Sequence, residues 1–489
     1  MRAGVLLFFC LTIVTTTCVA QTVDISAPTR LGPHISKVKI IGKNNDGYVV
    51  RLSGTEELIH VYDRDLKLAV ARTLDYKGGD GGLQHILLNK SGASLFYLHS
   101  DKKNTELMMQ PVNAKFIDQG RPMEIDTFKD KMELVDANLH FKISMDQNYI
   151  LFYYPVFDDA KVTSMQLTCI DRSATVLYKC QIPINRPEKD MEYAKALVDN
   201  TGNGYLIFSA EKDGKDSTFG DEYFVTRTDR YTGKQNSYTI HCDKEIFTEP
   251  QFEIDNVNAN LIFCGFYDKT GDPNDAAANG FFYLQYGATE GILKQSSYVP
   301  FSAAFMYALT GRDLSDKNNR LYTFGIKRIL LRIDGGALIT AESSIRDRRE
   351  VINTNANLMN SPYPTYRTVN TFSCNDIIAF SIKPTGDIDW NTVMRKKQIS
   401  EDDGASNSSF AFANEKDKLH FLYLDEISSS GAANEYVLNS KGISERIILF
   451  NQEDKDVFLI PKLGKQVAPN ELVIPSIRVG AFRLMRVQY

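Results

Sequence analysis

Beyond its first twenty residues, this 489-residue chain has no apolar run that approaches the ~18 residues a membrane-spanning helix needs. It also lacks any block of lysine and arginine. Its 56 basic and 61 acidic residues are interspersed and sum to a formal charge of −5, which leaves no electrostatic footprint for nucleic acid. The seven histidines, His34, His60, His85, His99, His140, His241 and His420, form no H-x-x-x-H or H-x-H pair, and the seven cysteines form no C-x-x-C. There is no G-x-S-x-G elbow, phosphate-binding loop or dinucleotide fingerprint. These absences remove the enzyme classes that announce themselves by local motif. They leave open a pair of carboxylates assembled from distant segments, the arrangement that glycoside chemistry uses. Helical periodicity is nearly missing, with one short helix expected in Ser302–Leu309.

What the chain does have is a rhythm. Ser408 to Phe450 holds four runs suited to a pleated, half-buried surface: Ser409–Ala413, Leu419–Leu424, Glu435–Leu438 and Arg446–Phe450, here a, b, c and d. Polar turns separate them, so the stretch reads as one antiparallel four-stranded meander. Taking b as a ruler, equivalent onsets occur at Tyr48, Leu95, Tyr149, Tyr205, Leu261, Ala337, Leu419 and Leu472. A self-similar unit of that size marks a propeller or array. Turns rich in Asn, Asp and Gly precede the b runs, as in VKIIGKNNDGYVV and KALVDNTGNGYLIF, and supply positive φ or side-chain to backbone bonds at little steric cost.

The fold expected is therefore all-β: a single propeller of four-stranded antiparallel blades occupying 21–489, eight blades favoured. In the eighth unit, Asp456–Pro461, Glu471–Pro475 and Ala481–Val487 read as a, b and c, with no d before the chain ends. Thr22–Ala27 is an extended run ahead of the first a strand, Ser36–Ile41, and would supply the missing d, joining the N-terminal strand to the C-terminal blade and removing the open edges. The rival reading is seven blades with the last thirty residues as a cap.

Met1–Ala20 has the parts of a secretory signal: Arg2, the apolar run Val5–Val14, and Cys18-Val19-Ala20 before Gln21 as a small-residue cleavage site. Acylation at Cys18, as in a lipoprotein, is the less favoured alternative, because Thr15-Thr16-Thr17 is a poor approach to such a cysteine. The mature protein is expected to be soluble, without a transmembrane segment, in the periplasm or outside the cell. Cys169, Cys180, Cys242, Cys264 and Cys374 then remain. Cys169 and Cys180 fall on one hairpin and would bridge only if register allows; buried free thiols are the expectation.

In a ring of such blades, a–b and c–d turns emerge on one face, b–c loops and d–a crossings on the other. The long segments here, Asp213–Asp221, Asp268–Gly280, Ser296–Asn319, Ser344–Asn370, Lys396–Asn407 and Ile427–Ala433, all belong to the second face, which is where binding is expected. Ser344–Asn370 is the largest and brings Arg346, Arg348, Arg349 and Arg367 near Tyr363 and Tyr366, side chains favoured at recognition sites. The plainer account makes it a solvated loop packed down by its tyrosines. Asp268, Asp272 and Asp275 place three carboxylates in a tight loop that could hold calcium, although the spacing is not that of an EF-hand; the default is a simple turn without a cofactor. Glu401-Asp402-Asp403-Gly404 is a second acidic turn on that face, positioned to pair with basic groups or be solvated.

The segment Asp389-Trp390, Lys396-Lys397-Gln398, Asp402-Asp403-Gly404, Ser408-Ser409-Phe410, with the ending NELVIPSIRVGAFRLMRVQY, resembles uncharacterised secreted β-propeller proteins of Bacteroidetes-type bacteria. The resemblance implies a bacterial envelope or secreted location and brings no activity with it. Trp390 is expected to pack between blades. The function expected from the sequence is a non-catalytic binding or scaffold module, a monomeric ring whose partner is an envelope protein or a glycan and not a nucleic acid. The alternative is a glycan-active enzyme, hydrolase or lyase, with carboxylates from several blades at the ring mouth.

Overall fold

The computed structural model describes residues 21–32, 35–74, 82–101, 104–158, 161–184, 191–210, 222–241, 246–268, 277–313, 320–352 and 366–489. Among these residues the chain is all-β and built of repeated four-stranded antiparallel sheets. The first sheet runs Ile35–Asn44, Gly47–Gly54, Glu57–Tyr62 and Leu68–Leu74; the second Leu83–Leu88, Ala93–Asp101, Asn104–Val112 and Met123–Phe128. The third begins at His140 and ends at Pro183, the fourth spans Met191 to Ile240, and the fifth Ile246 to Pro300. The sixth contains Phe324–Leu331, Ala337–Ile352, Tyr366–Ile382 and Ile388–Met394, and the seventh runs from Ala411 to Asn451. In the eighth, Lys465–Ala468, Glu471–Arg478 and Ala481–Gln488 are joined by Thr22–Ile25, which pairs antiparallel with the last strand in the register Thr22↔Gln488 to Ile25↔Met485.

Burial explains why these runs become strands. Along Gly204–Ala210 and Asn260–Asp268 nearly every successive residue is buried, so both faces of the b strand are covered by neighbouring sheets. A sheet with one wet face would alternate instead. The d strands lie at the other extreme: Leu68–Leu74 is mostly exposed. Each neighbouring pair of sheets shares a core. Leu151, Leu167 and Cys169 of the third pack with Ala196, Leu206 and Phe208 of the fourth, and Val38, Tyr48 and Val50 of the first pack with Val473, Phe482 and Leu484 of the eighth. First strands of successive sheets also lie side by side, including that of the eighth against that of the first.

The turns are built to a common plan. In four c–d turns, Asp63, Asn113, Asp171 and Asn439 each accept hydrogen bonds from the backbone N–H groups two and four residues on. The residue three on is left-handed each time: Leu66, Phe116, Ala174 and Gly442. The a–b turns reach from sheet to sheet, with the Gly92 N–H donating to Asp46 at 2.7 Å and the Asn200 N–H to Asn256 at 2.7 Å.

Three expectations change. Asp456–Pro461 is not a continuous strand: it follows one 3-10 turn and runs into another, with Asp456 left-handed, and it pairs with the sheet only at the isolated antiparallel bridge Leu459↔Ser476 while Val457 and Leu459 fill the core. The first strand of that sheet is Lys465–Ala468. Ser344–Asn370, expected as a loop, is strand at 344–352 and 366–370, because the b and c strands of the sixth sheet continue into it and pair as far as Ile352↔Tyr366. A helix the periodicity did not predict, Met132–Asn138, buries Met132 and Val135 between the second and third sheets. The expected helix is present at Ala303–Thr310, with the Ser302 side chain accepting from the Phe305 N–H. Cys169 faces Tyr178 across the ladder and Cys180 faces Leu167, so the register keeps the two thiols diagonal and both are free.

Candidate functional site

The most distinctive elaboration is the sixth sheet's hairpin. Its strands Ala337–Ile352 and Tyr366–Ile382 pair as far as Ile352↔Tyr366, whereas the flanking strands stop at Phe324↔Ser343 and Ile377↔Met394. Residues 344–352 and 366–374 therefore extend past the sheet proper, roughly 30 Å of two-stranded ribbon at about 3.3 Å per residue. Near its root a short third strand, Ile399–Glu401, pairs with Thr371–Ser373.

Side chains alternate across such a ribbon. Pairs 346↔372, 348↔370 and 352↔366 share one face, and 347↔371, 349↔369 and 351↔367 share the other. Arg346, Arg348 and Tyr366 are thus on one face, and Arg349 and Arg367 on its reverse; Tyr363 lies outside the described residues. The single Arg/Tyr cluster expected from the sequence is split in two. On the reverse face Arg349 meets Glu401 at 2.6 Å and Arg367 lies 3.9 Å from Asp402, so the acidic turn pairs with basic groups. The Asn370 N–H also donates to Asp402, and this backbone bond is the main cause holding the Asp402 carboxyl below its ordinary range. On the front face Arg346 reaches Asn370 at 3.1 Å and covers the Phe372 ring, and Arg348 is exposed. Ile352 and Tyr366 are 52% and 61% exposed at the ribbon's far end.

The ribbon's root is fixed by a buried ion pair that composition does not reveal. Glu342 and Lys396 meet at 2.7 Å with both side chains wholly inaccessible. The Lys396 ammonium also donates to the Cys374 carbonyl and to Gln398, and Ser409 donates to Glu342, each at 2.7 Å. Gln398 in turn donates to the Leu424 carbonyl of the seventh sheet. Burial pulls the Lys396 pKa down, opposed by Glu342. A lone carboxylate inside the otherwise apolar and small run Ala337–Ser343 was the available sequence signal for such a partner. This buried network anchors the hairpin to two sheets, with Lys327 approaching Glu342 from the surface at 3.7 Å.

Of the carboxylates singled out as calcium ligands, Asp268 ends the Asn260–Asp268 strand, is buried, and is held by the Arg320 guanidinium at 3.2 Å to both oxygens. Asp272 and Asp275 lie outside the described residues. Trp390 donates its indole N–H to the Ser440 carbonyl at 3.0 Å and packs on Gly442 of the seventh sheet's c–d turn, as a blade-packing side chain does.

No family model matches the chain, and no curated protein matches it by sequence. Solved structures similar to it include the WD40 domain of SCAP from fission yeast (TM-score 0.41, 11% identity, 96% of this chain and 94% of that one). The polysaccharide lyase Uly1 is similar at TM-score 0.39 and 8% identity over 94% and 100% of the two chains. The uncharacterized protein lmo1340 from Listeria monocytogenes EGD-e is similar at 0.35 and 7% over 78% and 85%. Similarity at this level says nothing about activity.

Proposed function

We propose that the eight sheets are the blades of one closed propeller ring, and that the protein is an exported, non-catalytic binding module whose partner docks on the projecting hairpin. Closure is supported by the Thr22–Ile25 pairing with Ala481–Gln488 and by the core shared between the eighth and first sheets. Export is supported by the signal-like Met1–Ala20, and an envelope partner by the resemblance of the Asp389–Phe410 segment to secreted bacterial propellers. The observation that carries the reading is the ribbon itself. A strand pair that extends nine residues per side beyond its sheet, rigidly rooted, with Arg346, Arg348 and Tyr366 on one face, has no packing purpose within its own sheet. Arginine and tyrosine lose little entropy when they order at an interface and hydrogen-bond or stack on contact.

The test compares the full mature chain with a version in which 345–369 is replaced by a short Gly/Ser turn, by crosslinking in intact cells. One dominant protein adduct, lost on excision while circular dichroism is unchanged, is the expected result. Adducts indifferent to the excision overturn the reading. Cleavage of a soluble glycan by the purified chain would instead favour the enzyme alternative.

A further inference from the structure

The opposite face, where the short a–b turns emerge, holds a cavity of about 490 Å³ formed by the first-strand ends and turns of four sheets. Ile41–Asn45 of the first sheet, His85–Lys90 of the second, Ile143, Ser144, Met145 and Gln147 with Arg172 of the third, and Lys465–Val467 of the eighth surround it. Among the described lining residues are Lys43, Lys90, Arg172 and Lys465, and there is no aspartate or glutamate. Lys43 is matched by Glu471 at 2.5 Å just outside the lining. Lys465 gives one of its three protons to the Ile41 carbonyl at 2.6 Å, and Arg172 gives one N–H to the Leu88 carbonyl at 3.1 Å, which leaves both with further donors. Lys90 is exposed at the rim.

Between the cations the lining is mixed: apolar Ile41, Ile86, Leu88 and Ile143, polar groups already bonded within the protein such as Asn44, Asn89 and Gln466, and the Asn45 and Gln147 amides. The His85 ring stands against Phe141 at 4.2 Å, and its buried Nε2 has no hydrogen-bond partner. Lys39 lies behind, over the Phe141 ring at 6.0 Å. Burial, and then the charges of Lys39, Lys465 and Arg51, push the His85 pKa down to about 3. Burial and neighbouring cations likewise lower the pKa of Lys39 and Lys465. Positive charge thus gathers at a recessed site, where Lys90, Arg172 and Lys465 outnumber the bordering carboxylates Asp46 and Asp146, and Glu471 is engaged by Lys43. A cleft of one sign focuses its field outward and attracts the opposite charge.

We propose that this cavity binds an acidic saccharide, its carboxylate or sulfate held by Lys90, Arg172 and Lys465 and its hydroxyls by the Asn45 and Gln147 amides. The charge selects an oxyanion. The volume exceeds what a bare inorganic anion would fill, and a wall that alternates apolar side chains with the Asn45 and Gln147 amides suits a sugar ring, which has both apolar faces and hydroxyls. No bond is made or broken in this proposal, and it is independent of the hairpin reading, since the two surfaces lie on opposite faces.

Calorimetric titration of the full mature chain with oligogalacturonate, sulfated dextran oligomers, neutral maltohexaose and inorganic phosphate tests it. Binding of one acidic oligosaccharide, weakened by added salt and by roughly tenfold or more in the rim double variant Lys90→Glu/Arg172→Glu, is expected, with no binding of maltohexaose. Which of the two acidic probes binds separates carboxylate from sulfate recognition. Both substituted side chains are exposed, so the variant's thermal midpoint should match the parent's. Lys465→Gln provides a second reduction in charge should that variant fold poorly. Failure of both acidic probes to bind, equal binding by the charge variants, or binding of maltohexaose overturns the proposal. Phosphate binding as tight as that of the oligosaccharide overturns the saccharide part of it.

Discussion

Val479 occupies a backbone conformation that its side chain disfavours. It has φ 48°, is 98% exposed, and precedes Gly480 at φ 71° in the turn between Glu471–Arg478 and Ala481–Gln488. Two consecutive left-handed residues joining two strands call for Asn-Gly, and a β-branched residue there gains nothing from burial. Val479→Asn should stabilise the protein by about 1 kcal/mol, read as a higher urea midpoint with an unchanged slope. His85 makes a second residue-level prediction. Its folded pKa of about 3 lies below the ordinary 6.5, so between those values the unfolded chain binds the extra proton. Stability attributable to His85 is therefore complete above about pH 6.5 and is lost as pH falls toward 3. His60 and His140 are shifted the same way by burial, so the test is a difference: unfolding free energy should fall less on acidification in His85→Gln than in the parent. Parallel profiles for the two proteins would contradict the assignment.

At the scale of elements, the strand Thr22–Ile25 covers what would be an open edge of the last sheet. Arg486 fastens it through Asp24 while also donating to the Tyr48 hydroxyl of the first sheet. Asp24→Pro removes both a ladder donor of this short strand and the ion pair with Arg486, and should lower stability by about 3 kcal/mol, with self-association through the uncovered edge visible in light scattering. An unchanged, monomeric protein would show that the strand contributes little. The eight b strands were legible because a strand covered on both faces is written as a continuous apolar run between Asn, Asp and Gly turns; all eight onsets, from Tyr48 to Leu472, fall in the observed second strands. The hairpin was not, since SIRDRREVI carries no apolar alternation and is held in strand form by pairing beyond the core. Lys465–Ala468 is four residues long and half polar, whereas Asp456–Pro461 has the apolar pattern of a strand because Val457 and Leu459 enter the core from a turn. At the site, the Arg and Tyr composition was readable; once the segment is a strand, alternation parts Arg346 and Arg348 from Arg349, but which face Tyr366 and Arg367 take depends on the 348↔370 register, which no single strand encodes. Lys90, Arg172 and Lys465 meet only because four sheets converge.

For the whole molecule, the two faces have different characters. One carries a two-stranded ribbon with arginine, tyrosine and exposed isoleucine; the other carries interlocked short turns around a recessed basic cavity. Rigidity for both comes from the cores shared between neighbouring sheets. The central claim is that partner recognition belongs to the ribbon. It is tested most directly by placing a photo-activatable phenylalanine analogue at Arg348, and separately at Ile333 in the sixth sheet's a–b turn, where the side chain is 84% exposed on the opposite face. After irradiation of intact cells, the account predicts a discrete protein adduct from position 348 and none from 333. No adduct at 348, or the same adduct from both positions, would contradict it.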